Sequence, residues 1–476
     1  MQAPAGASTS SALSGVLMPL ALAQFICSFA GSNMNVMIND ISKDLDTTVQ
    51  GVQVAITLFL LVMAALMIPG GKLTDRYGRK RCFLAGLVIY GVGAVLSALA
   101  PGLPVLILGN SILEGVGTAL LIPPVYILTT LLYTDLGSRA KAFGTISALG
   151  GIGAAAGPLL GGLITTAISW RAAFAFQALI IVVIVLLGRR ITDPLAAEPD
   201  RPFDTGGAVL SAVGLILLVL GILAADNSIW IAIALIVLGG LVLIWWLLAT
   251  RAKERAGREP LVSLSLFRNR TSNLGMVTQN SQWLLLSGVS FVVSAYLQVV
   301  RGFDAIETGI VFSATTFGLL VASLAAERLA QRAAQRTLIL AGFVLSIAGL
   351  VLLLVMVPGT STSWAFVPGL LLFGLGTGTM LTPSVNVVQS SFPDQQQGEI
   401  SGVSRSVSNL GSSLGTAIAG TVMVAGIAAT PERSYALALV VLAVIGAAGL
   451  VAAFGLPRHF ATAEAHVEPP VQPVTD

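Results

Sequence analysis

The chain has 476 residues, 55% of them hydrophobic and only 10% charged, with a formal net charge of +3. Soluble proteins carry about 25% charged residues, so a water-facing fold of this composition would expose apolar patches and aggregate. Most of the chain is therefore expected to face lipid. Two Cys (Cys27, Cys82) and two His (His459, His466, both close to the C-terminus) exclude a disulfide framework and leave no set of ligands for a metal centre. Met1 to Gly15 holds no Lys or Arg and does not read as a cleaved secretory signal.

A helix crosses a hydrocarbon core of roughly 30 Å with about 20 apolar residues. Such runs occur in chain order at 15–37, 51–71, 82–100, 104–131, 140–167 and 171–188, at 206–224 and 229–249, and at 272–299, 307–326, 337–357, 364–390, 400–428 and 434–456. The expectation is an all-α polytopic membrane protein with fourteen transmembrane helices. With both termini cytoplasmic, all but Lys43, Arg171, Arg301 and Arg433 of the 25 Lys and Arg fall in cytoplasmic segments, as positive-inside bias requires. The net charge thus reflects topology and gives no reason to expect nucleic acid. Trp170, Trp230 and Trp364 fall at outer span ends and Trp245 and Trp246 at an inner one, where an aromatic belt lies. Trp283 is mid-span.

Along the first span, Gln24, Ser28, Gly31, Asn35 and Asn39 recur every three or four residues and share one helical face, with Asn33 beside it. After the second span comes Gly71-Lys-Leu-Thr-Asp75-Arg76-Tyr-Gly78-Arg79-Lys80. Asp75 and Arg79 have the spacing of a helical ion pair. Lys72 does not mark a nucleotide-phosphate loop, because Leu66 stands at its first glycine position and Leu73 replaces the Ser or Thr. ATP is not an expected partner.

In the fourth span Glu114 lies about 15 Å deep at 1.5 Å per residue. A carboxyl group there is costly and is a functional candidate by default. Asn110, Ser111 and Thr118 extend it into a polar stripe expected to face a water-filled cavity. No Lys or Arg shares that helix, which makes Glu114 the proton-coupling candidate or a site for a cationic substrate; the alternative is a protonated Glu hydrogen-bonded to Asn110 in a purely structural role. Gly153, Gly157 and Gly161 give the fifth span a small-residue face for close packing, with a kink expected at Pro158.

The ninth span carries Thr278-Gln279-Asn280-Ser281-Gln282-Trp283. So wide a polar run is expected to border a cavity or unwind locally, forming an aromatic–amide pocket; interhelical hydrogen bonding is the alternative. Ser401, Arg405, Ser408, Ser412 and Gly415 share a face of the thirteenth span. Arg405 is expected at the cytoplasmic interface with its stem along apolar surface, with a gating role as the alternative.

The loop after span two recurs after span ten, where Gln331 and Arg332 match Asp75 and Arg76. Gly115, Gly117 and Pro124 recur as Gly374, Gly376 and Pro383, and Gly153 and Gly157 as Gly411 and Gly415, all at offsets between 256 and 259. Two homologous six-helix bundles plus two inserted helices follow: an N-terminal bundle over 1–200, the inserted pair over 201–255, a C-terminal bundle over 256–456, and a Pro-rich disordered cytoplasmic tail over 457–476.

The loop from Gly71 to Lys80 resembles the signature of the major facilitator superfamily. Gly153-Ala-Ala-Ala-Gly157-Pro158-Leu-Leu-Gly161-Gly162 resembles the fifth-helix motif of its antiporters, and fourteen spans point to the drug:proton antiporter branch. Ala30 stands where an Asp is usual in that branch, and Ser111 where an Arg is usual. The resemblance implies a secondary active exporter of lipophilic organic compounds in the plasma (inner) membrane, working by alternating access and proton antiport. It implies a conformational latch at Gly71, Asp75, Arg76, Gly78 and Arg79, and a helix-packing motif at Gly153, Gly157, Pro158 and Gly161. Substrate-cavity candidates are Gln24, Asn33, Asn35, Asn110, Thr118, Gln279, Asn280, Gln282 and Trp283. No cofactor is expected, and no nucleophile–base set suggests an enzyme. The alternatives are a lipid or metabolite exporter without proton coupling, and a non-transporting membrane receptor or scaffold.

Overall fold

A computed structural model describes residues 6–133, 135–225, 228–329, 334–356, 362–392 and 396–457. Gln331 and Arg332 of the second loop copy, and the tail from residue 458, lie outside the described residues. Among the described residues every regular element is helical. Fourteen helices are long and apolar enough to cross a membrane: α1 (Val16–Asp44), α2 (Val49–Tyr77), α3 (Arg79–Ala98), α4 (Leu103–Leu132), α5 (Gly137–Ala167), α6 (Trp170–Gly188), α7 (Thr205–Leu223), α8 (Ile229–Arg255), α9 (Arg270–Val300), α10 (Ala305–Ala325), α11 (Gln335–Met356), α12 (Phe366–Gln389), α13 (Glu399–Gly426) and α14 (Pro431–Phe454). Each falls on one of the fourteen apolar runs.

Local chemistry sets where these helices begin. The side chains of Thr48, Asp135, Ser169, Asp204, Ser228 and Asn269 each accept a hydrogen bond from a first-turn backbone N–H, the residue types and geometry of an N-cap. Between α2 and α3 the chain turns at Gly78, whose φ of +96° is open only to glycine at low cost. The first helix runs past its apolar stretch, tightening to a 3₁₀ turn at Met34–Met37 before ending at Asp44.

Two bundles repeat one packing pattern. In the first, α1 lies against α5, α2 against α4, and α3 against both α4 and α6; in the second, α9 lies against α13, α10 against α12, and α11 against α12 and α14. Glycines set the closest approaches at matching places. A Cβ on Gly86 would meet Gly117 O at 2.8 Å, and one on Gly342 would meet Gly376 O at 2.8 Å. Gly93 faces Gly109 O at 2.6 Å, as Gly349 faces Gly369 O at 2.8 Å.

These pairs also reveal one extra residue in α4. Six positions separate Gly109 from Gly115, whereas five separate Gly369 from Gly374. The surplus is absorbed by a π-helical segment, Ile107–Glu114. Such one-turn bulges arise by single insertions and cluster at functional sites.

Helices α7 and α8 pack on each other, with α7 also lying against α2 and α13. Only 11% of the α8 window is buried, against 67% for α9, so α8 turns nearly all of its apolar surface outward. Trp230 and Trp245 are exposed, as an aromatic belt requires. Trp170 departs from that expectation. It is 3% exposed, donating from Nε1 to Asp44 at 3.0 Å while the Arg171 guanidinium covers its ring and pairs with the same carboxylate.

The bundles meet along two seams. In the first, α2 lies against α13: Gln53 Nε2 donates to Thr416 O at 3.1 Å, Ser413 to Thr57 O at 3.1 Å and Ser406 to Ala64 O at 2.5 Å. In the second, α5 lies against α10. A Cβ on Gly162 would meet Ala305 O at 2.4 Å and one on Gly309 would meet Pro158 O at 2.3 Å, and Ile306 N donates to Thr166. These α5–α10 contacts lie at the end opposite the basic Lys72–Arg81 loop. At that far end Gln298 also bridges the bundles, donating to Asn35 O at 2.7 Å and accepting from Asn39 N at 3.1 Å. Toward the basic end, β-carbons at Gly144 and Gly151 of α5 would have nothing within 4 Å, and the same holds at Gly31, midway along α1.

Candidate functional site

Glu114 is fully buried, yet it does not face the space between the bundles. Its side chain packs on α3, where a Cβ at Gly93 would meet its Cγ at 2.9 Å and Ser97 Oγ lies 3.4 Å from Oε1. The Tyr90 hydroxyl also faces the carboxyl group, and donates to Gln177 Oε1 of α6 at 2.5 Å. Among the described residues no Lys or Arg pairs with Glu114.

The other members of the expected stripe diverge. Ser111 donates to Ala55 O of α2 at 2.7 Å, while Thr118 donates to Glu114 O at 2.8 Å and accepts from Cys27 of α1 at 3.8 Å. Asn110 is buried with its Nδ2 unpartnered. A single stripe requires α-helical spacing, and the π segment widens that spacing. Residues expected on one face therefore address three different helices.

The polar run of α9 stays helical through Thr278–Trp283 and is not unwound. Its amides are committed within the second bundle. Gln279 Nε2 donates to Ser408 at 2.8 Å and its Oε1 accepts from Ser404 at 2.9 Å. Gln282 donates to Thr377 O at 3.1 Å and accepts from Ser384 at 2.8 Å, and Asn280 donates to Val407 O at 2.9 Å. Interhelical bonding, the alternative weighed from the sequence, describes Gln279 and Gln282, both nearly inaccessible. Asn280 and Trp283 keep partial exposure.

On α1 the stripe divides. Asn33 and Asn35 are buried, Asn35 engaged through its carbonyl by Gln298, whereas Gln24 and Ser28 are part-exposed and Gly31 is open. Gln24 Nε2 donates to Ser28 at 3.2 Å, and its Oε1 accepts from the Tyr126 hydroxyl of α4 at 3.1 Å. Arg405 of α13 lies over the Tyr126 ring at 3.8 Å. It reaches across the gap between the bundles, to a ring that lies six residues from the same end of α4. Sequence gave no sign of this, because the two partners are 279 positions apart.

The small-residue face of α5 packs on α1. A Cβ on Gly153 would meet Phe25 O at 2.2 Å, and one on Gly157 would meet Ser32 Oγ at 1.9 Å. Gly161 packs on Asn33. Pro158 has no N–H, so the Ala154 carbonyl lacks its helical partner. Ser32 Oγ reaches that carbonyl at 3.1 Å while also approaching Ser28 O and Phe29 O at 3.2 Å. The motif thus brings two backbones together, close enough for the Ser32 hydroxyl of α1 to reach the carbonyl freed by proline.

At the basic loop, Asp75 pairs with Arg79 at 3.0 Å as its spacing predicts, and with Arg201 at 3.2 Å. The α3 N-terminus is held by Asp193, whose Oδ2 accepts from the N–H of Arg79 at 2.6 Å and of Lys80 at 3.2 Å. Asp193 lies 114 positions from Arg79, and local spacing does not reveal this contact. Gly71 packs on Pro123, and the Arg76 guanidinium lies 5.6 Å from the Tyr77 ring. Lys72 donates to Pro260 O at 2.7 Å, and Ser263 N donates to Glu399 of α13 at 2.6 Å. The segment between α8 and α9 therefore touches both bundles.

The sequence profile of the Major Facilitator Superfamily matches residues 20–212 and again 203–416. The chain is 30% identical over 421 residues to the puromycin resistance protein pur8 of Streptomyces alboniger, covering 87% of this chain and 82% of that one. It is 28% identical over 404 residues to the multidrug resistance protein Stp of Mycobacterium tuberculosis (strain CDC 1551 / Oshkosh), covering 84% and 74%. Among solved structures it is similar in fold to the peptide transporter POT in complex with sulfate, with a TM-score of 0.67 at 17% identity and 92% of each chain covered. The chain is a multi-pass membrane transport protein and belongs to the Major Facilitator Superfamily.

Proposed function

We propose that this protein is a secondary active exporter of small lipophilic organic compounds, of the multidrug-efflux type, exchanging them for protons across the plasma (inner) membrane with both termini cytoplasmic. The observation that carries this reading is the asymmetry of the seams. The α5–α10 contacts and the Gln298 bridge lie at the end away from the basic loop, while Gly144 and Gly151 of α5 face open space toward it. With the basic loops cytoplasmic, that is a site open to the cytoplasm and closed outside, as an exporter needs before loading. The resistance and multidrug names of the relatives support the substrate class.

In this reading substrate enters between α1, α4, α5, α9 and α13, against Gln24, Asn280 and Trp283. Rocking of the bundles breaks the Gln298 bridge and opens the outer side. The α1–α5 glycine seam keeps the first bundle rigid as it moves. The network of Asp75, Arg79 and Arg201 at the cytoplasmic end of the first bundle is the conformational latch in this reading. Glu114, enclosed by Tyr90, Ser97 and Gln177, is the proton carrier. In this reading proton exchange runs beside the substrate path and not in it.

The test is accumulation of ethidium, rhodamine 6G and puromycin in intact cells with and without the chain. The expected result is lower accumulation of at least one compound, restored by a protonophore. Equal accumulation of all three would sink the export reading.

A further inference from the structure

We propose that Arg405 is a binding group for acidic aromatic substrates, receiving a carboxylate or phenolate in the space between the bundles. This inference rests on the export reading and names a substrate class for it. Guanidinium groups inside a membrane protein are costly and are normally paired. Among the described residues no carboxylate pairs with Arg405. Its position is nonetheless fixed, since the Tyr126 ring lies 3.8 Å beneath it.

The ring is itself held. Tyr126 donates to Gln24 at 3.1 Å and stacks on Phe143 of α5 with centroids 5.9 Å apart. Stacking occupies one face of the guanidinium and leaves its donor edge free, the geometry that grips a carboxylate with two parallel bonds. The site is accessible: Arg405, Tyr126 and Gln24 are all part-exposed, and Gly31 one face along α1 has nothing within 4 Å. An aromatic acid would lay its ring along Tyr126 and Phe143 and its charge on Arg405. Because Arg405 belongs to one bundle and Tyr126 to the other, the ligand would bridge the two halves that must move.

The test measures binding of fluorescein, an anion, and rhodamine 6G, a cation with the same ring system, to the purified full chain by fluorescence polarisation. Wild type is expected to bind fluorescein. Arg405→Gln is expected to weaken it at least about tenfold, the value of a lost charge-assisted pair, and Arg405→Lys by less, since it keeps charge without the planar fork. Rhodamine 6G affinity should be unchanged or tighter in both, which also reports that the variants are folded. Equal loss of both probes would show a structural or gating role and overturn the assignment. So would wild-type fluorescein binding in Arg405→Gln, or no fluorescein binding by wild type. A lipid headgroup could offer the same anion. Affinity should therefore match in phosphatidylcholine nanodiscs with and without phosphatidylglycerol, and displacement by phosphatidylglycerol would overturn the substrate assignment. None of these readouts requires transport, so loss of dye export in cells and loss of anion binding are separate results.

Discussion

Two glycines on α5, two positions apart, should respond with opposite sign to the same substitution. A Cβ at Gly153 would lie 2.2 Å from Phe25 O and 3.0 Å from Phe25 Cα, both backbone atoms of α1. Carbon contacts settle near 3.5 Å, so Gly153→Ala must push the two helices apart by about 1 Å along their tightest line. Overpacking of that kind costs about 1–3 kcal/mol, and the Ser32 contact to Ala154 O would stretch with it. Gly151 lies on the open side, where a Cβ has nothing within 4 Å. There Gly→Ala removes only the helix penalty of glycine and should stabilise by about 0.5–1 kcal/mol. Thermal-shift measurements on the detergent-purified protein read both: a lower melting temperature for Gly153→Ala and an equal or higher one for Gly151→Ala. Equal effects, or a neutral Gly153→Ala, would refute the α1–α5 contact as drawn.

Asp75→Asn removes pairs to Arg79 and Arg201 at a part-exposed site. Stability should fall by no more than about 1 kcal/mol, whereas the distribution of spin-label distances between the bundles should shift and dye export should drop; an unchanged distance distribution would remove the latch. Asp204 caps α7 outside the membrane span. Burial disfavours its charge, but the bond from Lys253 and the N–H groups of Gly207 and Leu261 outweigh that and hold its carboxyl below the usual carboxylate range. A lowered folded-state pKa gives stability that is present above the unfolded value, about 3.9, and lost as pH falls through the folded one. Asp204→Asn should therefore melt below wild type at neutral pH and converge with it as pH falls below about 4; a gap that stays constant on acidification would contradict the pairing.

What the sequence made legible follows from simple constraints. Bilayer thickness demands fourteen apolar runs of fixed length, so every span was visible, and the i, i+4 rule placed Asp75 on Arg79. Glycine pairs such as Gly117 with Gly376 repeat because each half must pack its helices at the same closest points. The directions of polar side chains were less legible. One inserted residue in α4 turns Glu114 onto α3, and nothing in a 3.6-residue periodicity announces a π turn. Gln279 and Gln282 look like cavity groups until their partners on α13 and α12 are placed, roughly a hundred or more positions away in the chain. Arg405 reads as an interfacial residue by its nearness to the end of its helix, and only the tertiary structure sets it over Tyr126.

Proton exchange through Glu114 is the central claim, and everted membrane vesicles test it most directly. Their lumen is acidified, the cytoplasmic face is outside, and acridine orange reports the gradient. Adding a dye that the cells export should release protons from vesicles carrying the wild-type chain and restore acridine orange fluorescence. Glu114→Gln should give no recovery while binding the dye within about twofold of wild type. Uptake of the dye with the lumen's acidity unchanged, or wild-type recovery in Glu114→Gln, would contradict the account.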